Sequence, residues 1–227
     1  MVNYINVTLD TTAPATPTLS LDGGSAFAND LLVDCLIGTA DGVTTGYSMK
    51  IWGATIDTSY DPNIQATEGE SEWIAFSTTK QIKITPDNGT KTISLRIRDQ
   101  VNNVSGMVSD TISYDSTKPV VTTSLPDVTS ISTNTDKNVV NFTFQVTEPF
   151  VEYRVKAVNS TGAEEVAGVQ IGVENGSINT SGTGTFDTTV TPINVTIYGL
   201  DLQTASSGDG LKTIKVFVRD EAGLWSS

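Results

Sequence analysis

Apolar and polar residues alternate along most of this chain in short runs, and the runs are bounded by Gly, Asn, Asp and Pro. A period of two puts successive side chains on opposite faces of a strand. In the first half this pattern predicts strands near residues 16–21, 31–38, 46–52, 73–76, 81–85, 92–98 and 107–114. In the second half it predicts them near 120–125, 139–147, 151–158, 166–173, 190–198 and 213–219. Residues 92–98 show it well: Ile93, Leu95 and Ile97 point one way, while Thr92, Ser94, Arg96 and Arg98 point the other. Helical periodicity is absent throughout. Short antiparallel strands at this density, punctuated by turns, imply an all-β fold of two-sheet sandwiches. The polar, Gly-containing stretches 57–72 and 174–187 read as loops between middle strands, where a sandwich carries its binding surface.

The chain also repeats itself. KTISLRIRD at residues 91–99 returns as KTIKVFVRD at 212–220, followed by QVNNVS in one case and EAGLWSS in the other. DTTAP at 10–14 returns as DSTKP at 115–119, and each is preceded by an alternating segment, VNYINVTL at 2–9 and MVSDTISY at 107–114. A repeat of this length means two similar modules in tandem. The boundaries that follow are a separate N-terminal strand at 1–9, a first domain at 10–115 and a second at 116–227.

The succession GYSMKIWG, EWIAFSTTKQIKIT, NGTKTISLRIRDQVNNVS and the exit YDSTKP resembles the immunoglobulin-like repeats of bacteriophage virion proteins and bacterial surface proteins. In that family a penultimate strand ends in an RDxxGN-like loop and modules begin with a DTTxP phrase. The resemblance spans the first module, and in the second it covers the start, FVEYRVKAV and KTIKVFVRDEAG. It implies two tandem immunoglobulin-like antiparallel β-sandwich domains. It says less about role, because one sandwich serves adhesion, decoration and spacing alike.

Composition narrows the role by exclusion. About a quarter of the 227 residues are Ser or Thr, a bias that suits pleated, half-exposed surfaces. The net charge is -13 with no Lys or Arg cluster, so nucleic acid and anionic membranes lack an electrostatic driving force. There is no His, and the single Cys35 sits in the apolar run LLVDCLIG as a small buried hydrophobe. Nucleophilic triads and His-based metal centres are therefore excluded, and no carboxylate pair has a cleft-like apolar setting. The expectation is a non-enzyme with no catalytic residues and no cofactor beyond structural calcium. No stretch approaches a membrane span or a secretion signal, so a chain that is the complete product is expected to be made in the cytoplasm, or to leave a cell by lysis or a leaderless route. The eight Asn-X-Ser/Thr sequons, Asn6, Asn88, Asn141 and Asn194 among them, are expected to carry no glycan.

An immunoglobulin-like sandwich puts the start of its first strand and the loop between its last two strands at one pole. Asp10 is thereby expected near Asp99, and Asp115 near Asp220 and Glu221. Hard oxygen ligands at such a place suit calcium, and the resemblance implies calcium at module junctions. The competing reading is that these aspartates form turns, with Arg98 and Arg219 beside them as neutralising charges. Trp52 and Trp73 read as core residues. Trp225 reads as an exposed anchor or as part of a joint.

The first module goes on to a last strand where the second stops, and a sandwich lacking that strand has an open edge. Three accounts are open. Residues 2–9 of one copy, through Val2, Tyr4, Ile5 and Val7 together with Trp225, complete the second module of another copy, giving a head-to-tail homo-oligomer. Alternatively, 2–9 extends the first strand of its own module, or the chain is a piece of a longer array. The leading expectation for function is a structural protein of a bacteriophage particle, on its tail, collar or capsid surface. Its partners would be other virion proteins and a host-surface glycan or protein. A bacterial cell-surface adhesin or spacer comes second. A carbohydrate-binding accessory module comes last, for want of exposed aromatics.

Overall fold

A computed structural model of the protein describes residues 5–159 and 162–227. The chain divides into two compact units, Met1–Asp115 and Ser116–Ser227. Each is an immunoglobulin-like antiparallel sandwich.

Unit 1 contains β1 (Thr18–Leu21), β2 (Phe27–Ala28), β3 (Leu32–Gly38), β4 (Ser48–Trp52), β5 (Ile74–Ala75), β6 (Thr79–Lys83), β7 (Gly89–Arg98) and β8 (Val108–Tyr114). One sheet has the order β1-β3-β6 and the other β2-β8-β7-β4-β5. Among the described residues the named strands of unit 1 pair antiparallel except β2 with β8, which run parallel, and the isolated bridge between Trp52 and Gln65 is parallel too. Alternation sends Val33, Cys35 and Ile37 of β3 and Ile93, Leu95 and Ile97 of β7 into one core between the sheets. The Asp110 carboxylate on β8 accepts the Leu21 amide at 2.9 Å, tying the two sheets at one edge.

Unit 2 contains β9 (Val121–Thr123), β10 (Val139–Val146), β11 (Phe150–Val158), β12 (Val169–Gln170), β13 (Ser181–Phe186), β14 (Ile193–Tyr198), a helix α1 (Gly199–Ala205) and β15 (Thr213–Arg219). Its sheets are β14-β10-β9, and β11 flanked by β12 and β13 on one side with β15 also paired to it. Where the core of unit 1 is mainly aliphatic, that of unit 2 holds Phe144, Phe150, Tyr153 and Phe186 in mutual contact. Phe150 and Phe186 stack with centroids 5.1 Å apart.

Three features depart from the expectations above. First, β13 lies inside the stretch read as a loop at 174–187. Its sequence SGTGTF lacks strand-forming side chains because the strand passes against a ring: a Cβ on Gly182 would sit 2.5 Å from Tyr153 Cε1. Second, α1 breaks the absence of helix. Only Leu202 and Ala205 carry its apolar face into the core, too few positions for a periodicity to be read. Third, Trp52 and Trp73 lie outside the core. Met49 and Ile51 of β4 point inward, so Lys50 and Trp52 point out, and Met49 pairs with Ile74, which leaves its neighbour Trp73 outward too. The strand expected at 166–173 contracts to β12, and the one expected from 190 begins only after Pro192. The excursion at 57–72 is irregular, as read, and it returns Ile64 to the core.

Candidate functional site

The loop after β7 is built around one buried carboxylate. Asp99 Oδ1 accepts the amides of Val101 and Asn103 at 2.9 and 2.8 Å, and Oδ2 accepts Asn103 Nδ2 at 2.8 Å. Burial pushes this carboxyl up, but the Asn103 side chain and the loop amides outweigh it and hold it below the ordinary aspartate range. Asn102 closes the turn with φ 68°, in the left-handed region that asparagine tolerates. Ser105 then locks the corner: its amide donates to the Ile97 carbonyl at 2.9 Å and its hydroxyl accepts the Ile97 amide at 3.0 Å.

Unit 2 repeats most of this construction, with Leu224 where unit 1 has Asn103, so the bond that the Asn103 side chain donates to the second carboxylate oxygen has no counterpart from that position. The Leu224 amide donates to Asp220 Oδ1 at 2.8 Å, and Gly223 takes the left-handed position with φ 88°. Ser226 binds Val218 through its amide at 2.8 Å and its hydroxyl at 3.0 Å. The bridge between Arg98 and Val104 has its counterpart between Arg219 and Trp225. Residues 89–105 thus correspond to residues 210–226, down to the positive-φ glycines Gly89 and Gly210. The two serines were not singled out from sequence, although both loops place a Ser at the same distance after the Asp.

The four aspartates expected at the poles are each held by protein donors. Asp10 and Asp99 come onto one asparagine, since Asn103 Nδ2 donates to the Asp10 carbonyl at 3.2 Å as well as to Asp99. The Asp10 carboxylate accepts the Thr12 amide at 3.0 Å. Asp115, the last residue of unit 1, accepts Asn88 Nδ2 at 2.7 Å. Asp220 and the exposed Glu221 belong to unit 2. Among the described residues no three His, Cys, Asp or Glu side chains gather as a metal site would require.

Two half-exposed tryptophans, Trp73 and Trp225, lie against cationic side chains. The Arg98 guanidinium lies 4.5 Å from the Trp73 ring centroid and Lys50 Nζ lies 5.2 Å from it. In unit 2 Arg154 and Arg219 approach the Trp225 ring at 4.7 and 5.9 Å. The equivalent arginines Arg98 and Arg219 therefore each meet a tryptophan, supplied by different parts of the module. Glu152 bridges Arg154 and Arg219 at 2.6 and 2.8 Å, and Glu165 takes Arg154 at 2.8 Å. Burial raises the Glu152 carboxyl, but hydrogen bonds from Arg154 and Arg219 prevail and hold it low. Beneath this group Phe217 is fully buried although its neighbours Val216 and Val218 are the ones facing the core. Beside it lies an open hollow of about 340 Å³ lined by Glu152, Arg154, Gln170 and Thr183.

Of the residues expected at an interface, Val2 and Tyr4 lie outside the described residues. Ile5 and Val7 are 91% and 88% exposed, and Leu9 beside them 86%. Residues 5–9 extend no strand of unit 1. Trp225 is half-buried against the two arginines.

No family model matches the chain, and no curated protein matches it. Among solved structures, it is similar to the fibronectin(III)-like modules of Clostridium thermocellum CbhA, at 10% identity over 92% of this chain and 90% of that one, with a TM-score of 0.44. It is also similar to the FN1-FN3 domains of chicken CNTN1, at 10% identity over 95% of this chain and 62% of that one, with a TM-score of 0.36. The D00-D0 domain of Intimin matches at 12% identity over 92% and 93%, with a TM-score of 0.27. Likeness of this degree carries no functional argument.

Proposed function

We propose that the chain is a non-enzymatic structural protein of a bacteriophage particle, displayed on the tail, collar or capsid surface. The observation that carries this reading is the repeated construction of the two units. Each loop after the long strand is fixed from within by a buried Asp and Ser, so its outward residues are presented on a preorganised frame. Such modules decorate or brace an assembly, and their Thr- and Ser-rich outer faces and polar excursions make the contacts, with other virion proteins or with a host-surface glycan or protein. The net charge of -13 keeps such a surface soluble. Electron microscopy of purified particles with gold-labelled antibody against the chain tests this. Labelling at a fixed particle location supports it, and labelling confined to the bacterial envelope overturns it.

A bacterial cell-surface adhesin or spacer is the second reading. It is favoured by the meeting of Asp10 and Asp99 on Asn103, at the pole where calcium would stiffen a module junction. A rise in melting temperature on adding calcium, reversed by chelation, is its signature.

A further inference from the structure

The two tryptophans expected in the core of unit 1 stand instead on the outer face of one sheet. Alternation along β4 buries Met49 and Ile51 and turns Lys50 and Trp52 outward, where both are half-buried. Across the pair of β4 with β5, Met49 faces Ile74, so the next residue along, Trp73, comes beside Lys50. Lys50 Nζ lies 5.2 Å from the Trp73 ring centroid. Across the pair of β4 with β7, Lys50 faces Arg96 and Ser48 faces Arg98. One face thus gathers two indole rings and three cations, in a chain whose net charge is -13.

Unit 2 shows what this face lacks. In the equivalent strand pair Glu152 faces Arg219 and Arg154 faces Phe217, so Glu152 stands where unit 1 has Ser48. Its carboxylate bridges Arg154 and Arg219 at 2.6 and 2.8 Å. In unit 1, among the described residues, the carboxylate that reaches the group is Glu68, at 3.2 Å from Arg96. The ion pairs among the described residues leave out Lys50 and Arg98, and also the exposed Glu72 next to Trp73 in sequence. Both cations are packed on the Trp73 ring instead, Arg98 at 4.5 Å from its centroid. A cation–π contact holds a charge in place without neutralising it. Two positioned cations therefore stand half-exposed beside Ser48, short of the counter-charge that Glu152 supplies in unit 2.

We propose that this face of unit 1 binds a carboxylated saccharide. Lys50 and Arg98 receive the sugar carboxylate at the place that Glu152 fills in unit 2, and the Arg98 guanidinium offers paired N–H donors that match it. The exposed parts of Trp52 and Trp73 pack against the apolar C–H surface of the sugar rings. A protein partner would need an apolar anchor region around the charges, whereas the outward neighbours here are the small Ser48, Ala75 and Ser94. A nucleic acid carries a charge on every unit, and the net -13 of the chain repels it more than a glycan with scattered carboxylates. Such binding would be the host-glycan contact of the proposed function, and it rests on that reading for its setting alone.

Isothermal titration of the 227-residue chain at low salt tests this, with oligogalacturonate, hyaluronan oligosaccharides and sialyllactose as probes. At least one acidic sugar should bind, and neutral galacto-oligosaccharides and lactose should not. Ser48→Glu should weaken binding about tenfold or more by supplying the missing carboxylate from within, and Arg98→Ala should do the same. Ser48→Gln, equal in size but uncharged, should retain binding. Ser48→Glu places at an outward position the residue that unit 2 carries there, so its melting temperature should not fall. Failure of every acidic sugar to bind, equal binding of the neutral sugars, tighter binding of oligothymidylate, or binding unchanged in Ser48→Glu each overturns the proposal. The chain is titrated alone, so these outcomes leave the particle labelling as it stands, and labelling confined to the bacterial envelope leaves the titration as it stands.

Discussion

Ser105 and Ser226 make the same two hydrogen bonds one repeat apart, each closing the backbone of a core strand residue, Ile97 in one unit and Val218 in the other. In both cases the serine hydroxyl accepts an amide that is sealed from water. The hydroxyl does the work of a missing strand partner at the point where the chain leaves the sheet.

Ser105→Ala should therefore orphan the Ile97 amide, and Ser226→Ala the Val218 amide. A buried donor without a partner costs about 1–3 kcal/mol. Denaturant unfolding of each variant should show a lower midpoint for one unit only, and Ser→Thr at either position should recover part of the loss.

Gly182 admits no side chain. A methyl there would lie 2.5 Å from Tyr153 and 3.0 Å from Phe186, both of them rigid rings in the aromatic core. Gly182→Ala should destabilise unit 2 by roughly 1–3 kcal/mol through overpacking. The near-ultraviolet circular dichroism of the aromatic cluster should change with it.

Asp201 anchors α1 to the neighbouring loop by accepting the amides of Asn175 and Ser177 at 3.0 and 2.9 Å. Burial raises its carboxyl, yet the donors from Ser177 and Asn175 prevail and hold it low. Asp201→Ala should cost about 2–3 kcal/mol, the loss expected for charge-assisted bonds to buried amides. Hydrogen exchange should accelerate at Ser177 before it does in β11.

Acid should unfold the protein in a defined window. Hydrogen bonds from Ser59 and then Lys83 lower Asp57 from 3.8 to about 2, and Thr85 and then Lys91 do the same for Asp87. Asp99, Asp201 and Glu152 are also held low. A carboxyl depressed by folding contributes fully above its unfolded pKa, and that contribution is lost as pH falls through the folded pKa. Urea midpoints measured against pH should fall between about pH 4 and about pH 2. Nearer neutrality the trend reverses: approach to the isoelectric point of 4.2 relieves the self-repulsion of a -13 chain, so midpoints rise modestly before they fall.

Cys35 should be inert in the native protein. Burial, then the nearby Asp22, Asp34 and Asp110, push its thiol up to about 12, so no thiolate forms near neutrality. Its reaction with a thiol reagent at pH 8 should follow the opening of unit 1 and become fast only in denaturant.

The long alternating strands were legible because each buries one face. Ile93, Leu95 and Ile97 report their side of β7 directly. β13 was not legible, because its Gly182 answers to Tyr153, a residue far off in sequence. The outward tryptophans misled for a related reason. For Trp73, apolar character alone does not separate a core ring from one stacked on Arg98 and Lys50. Asp99 and Asp220 were picked out by position, but turn formation and metal binding ask for the same residue there. The bonds these carboxylates accept from the amides of Val101, Asn103 and Leu224 belong to the folded loop and are not readable from spacing.

The parallel pairing of β2 with β8 bears on how unit 1 carries tension. Phe27 and Ala28 run alongside Ser113 and Tyr114, with hydrogen bonds from Ser113 to Ala26 and from Asp115 to Ala28 at 3.0 and 2.9 Å. Opposed pulls on the N-terminal side of β2 and the C-terminal side of β8 slide two strands of the same direction past one another lengthwise. Both bonds are then loaded together and must rupture together, where an antiparallel hairpin would peel open one rung at a time. Separation of β2 from β8 along that direction therefore begins as shear and not as unzipping.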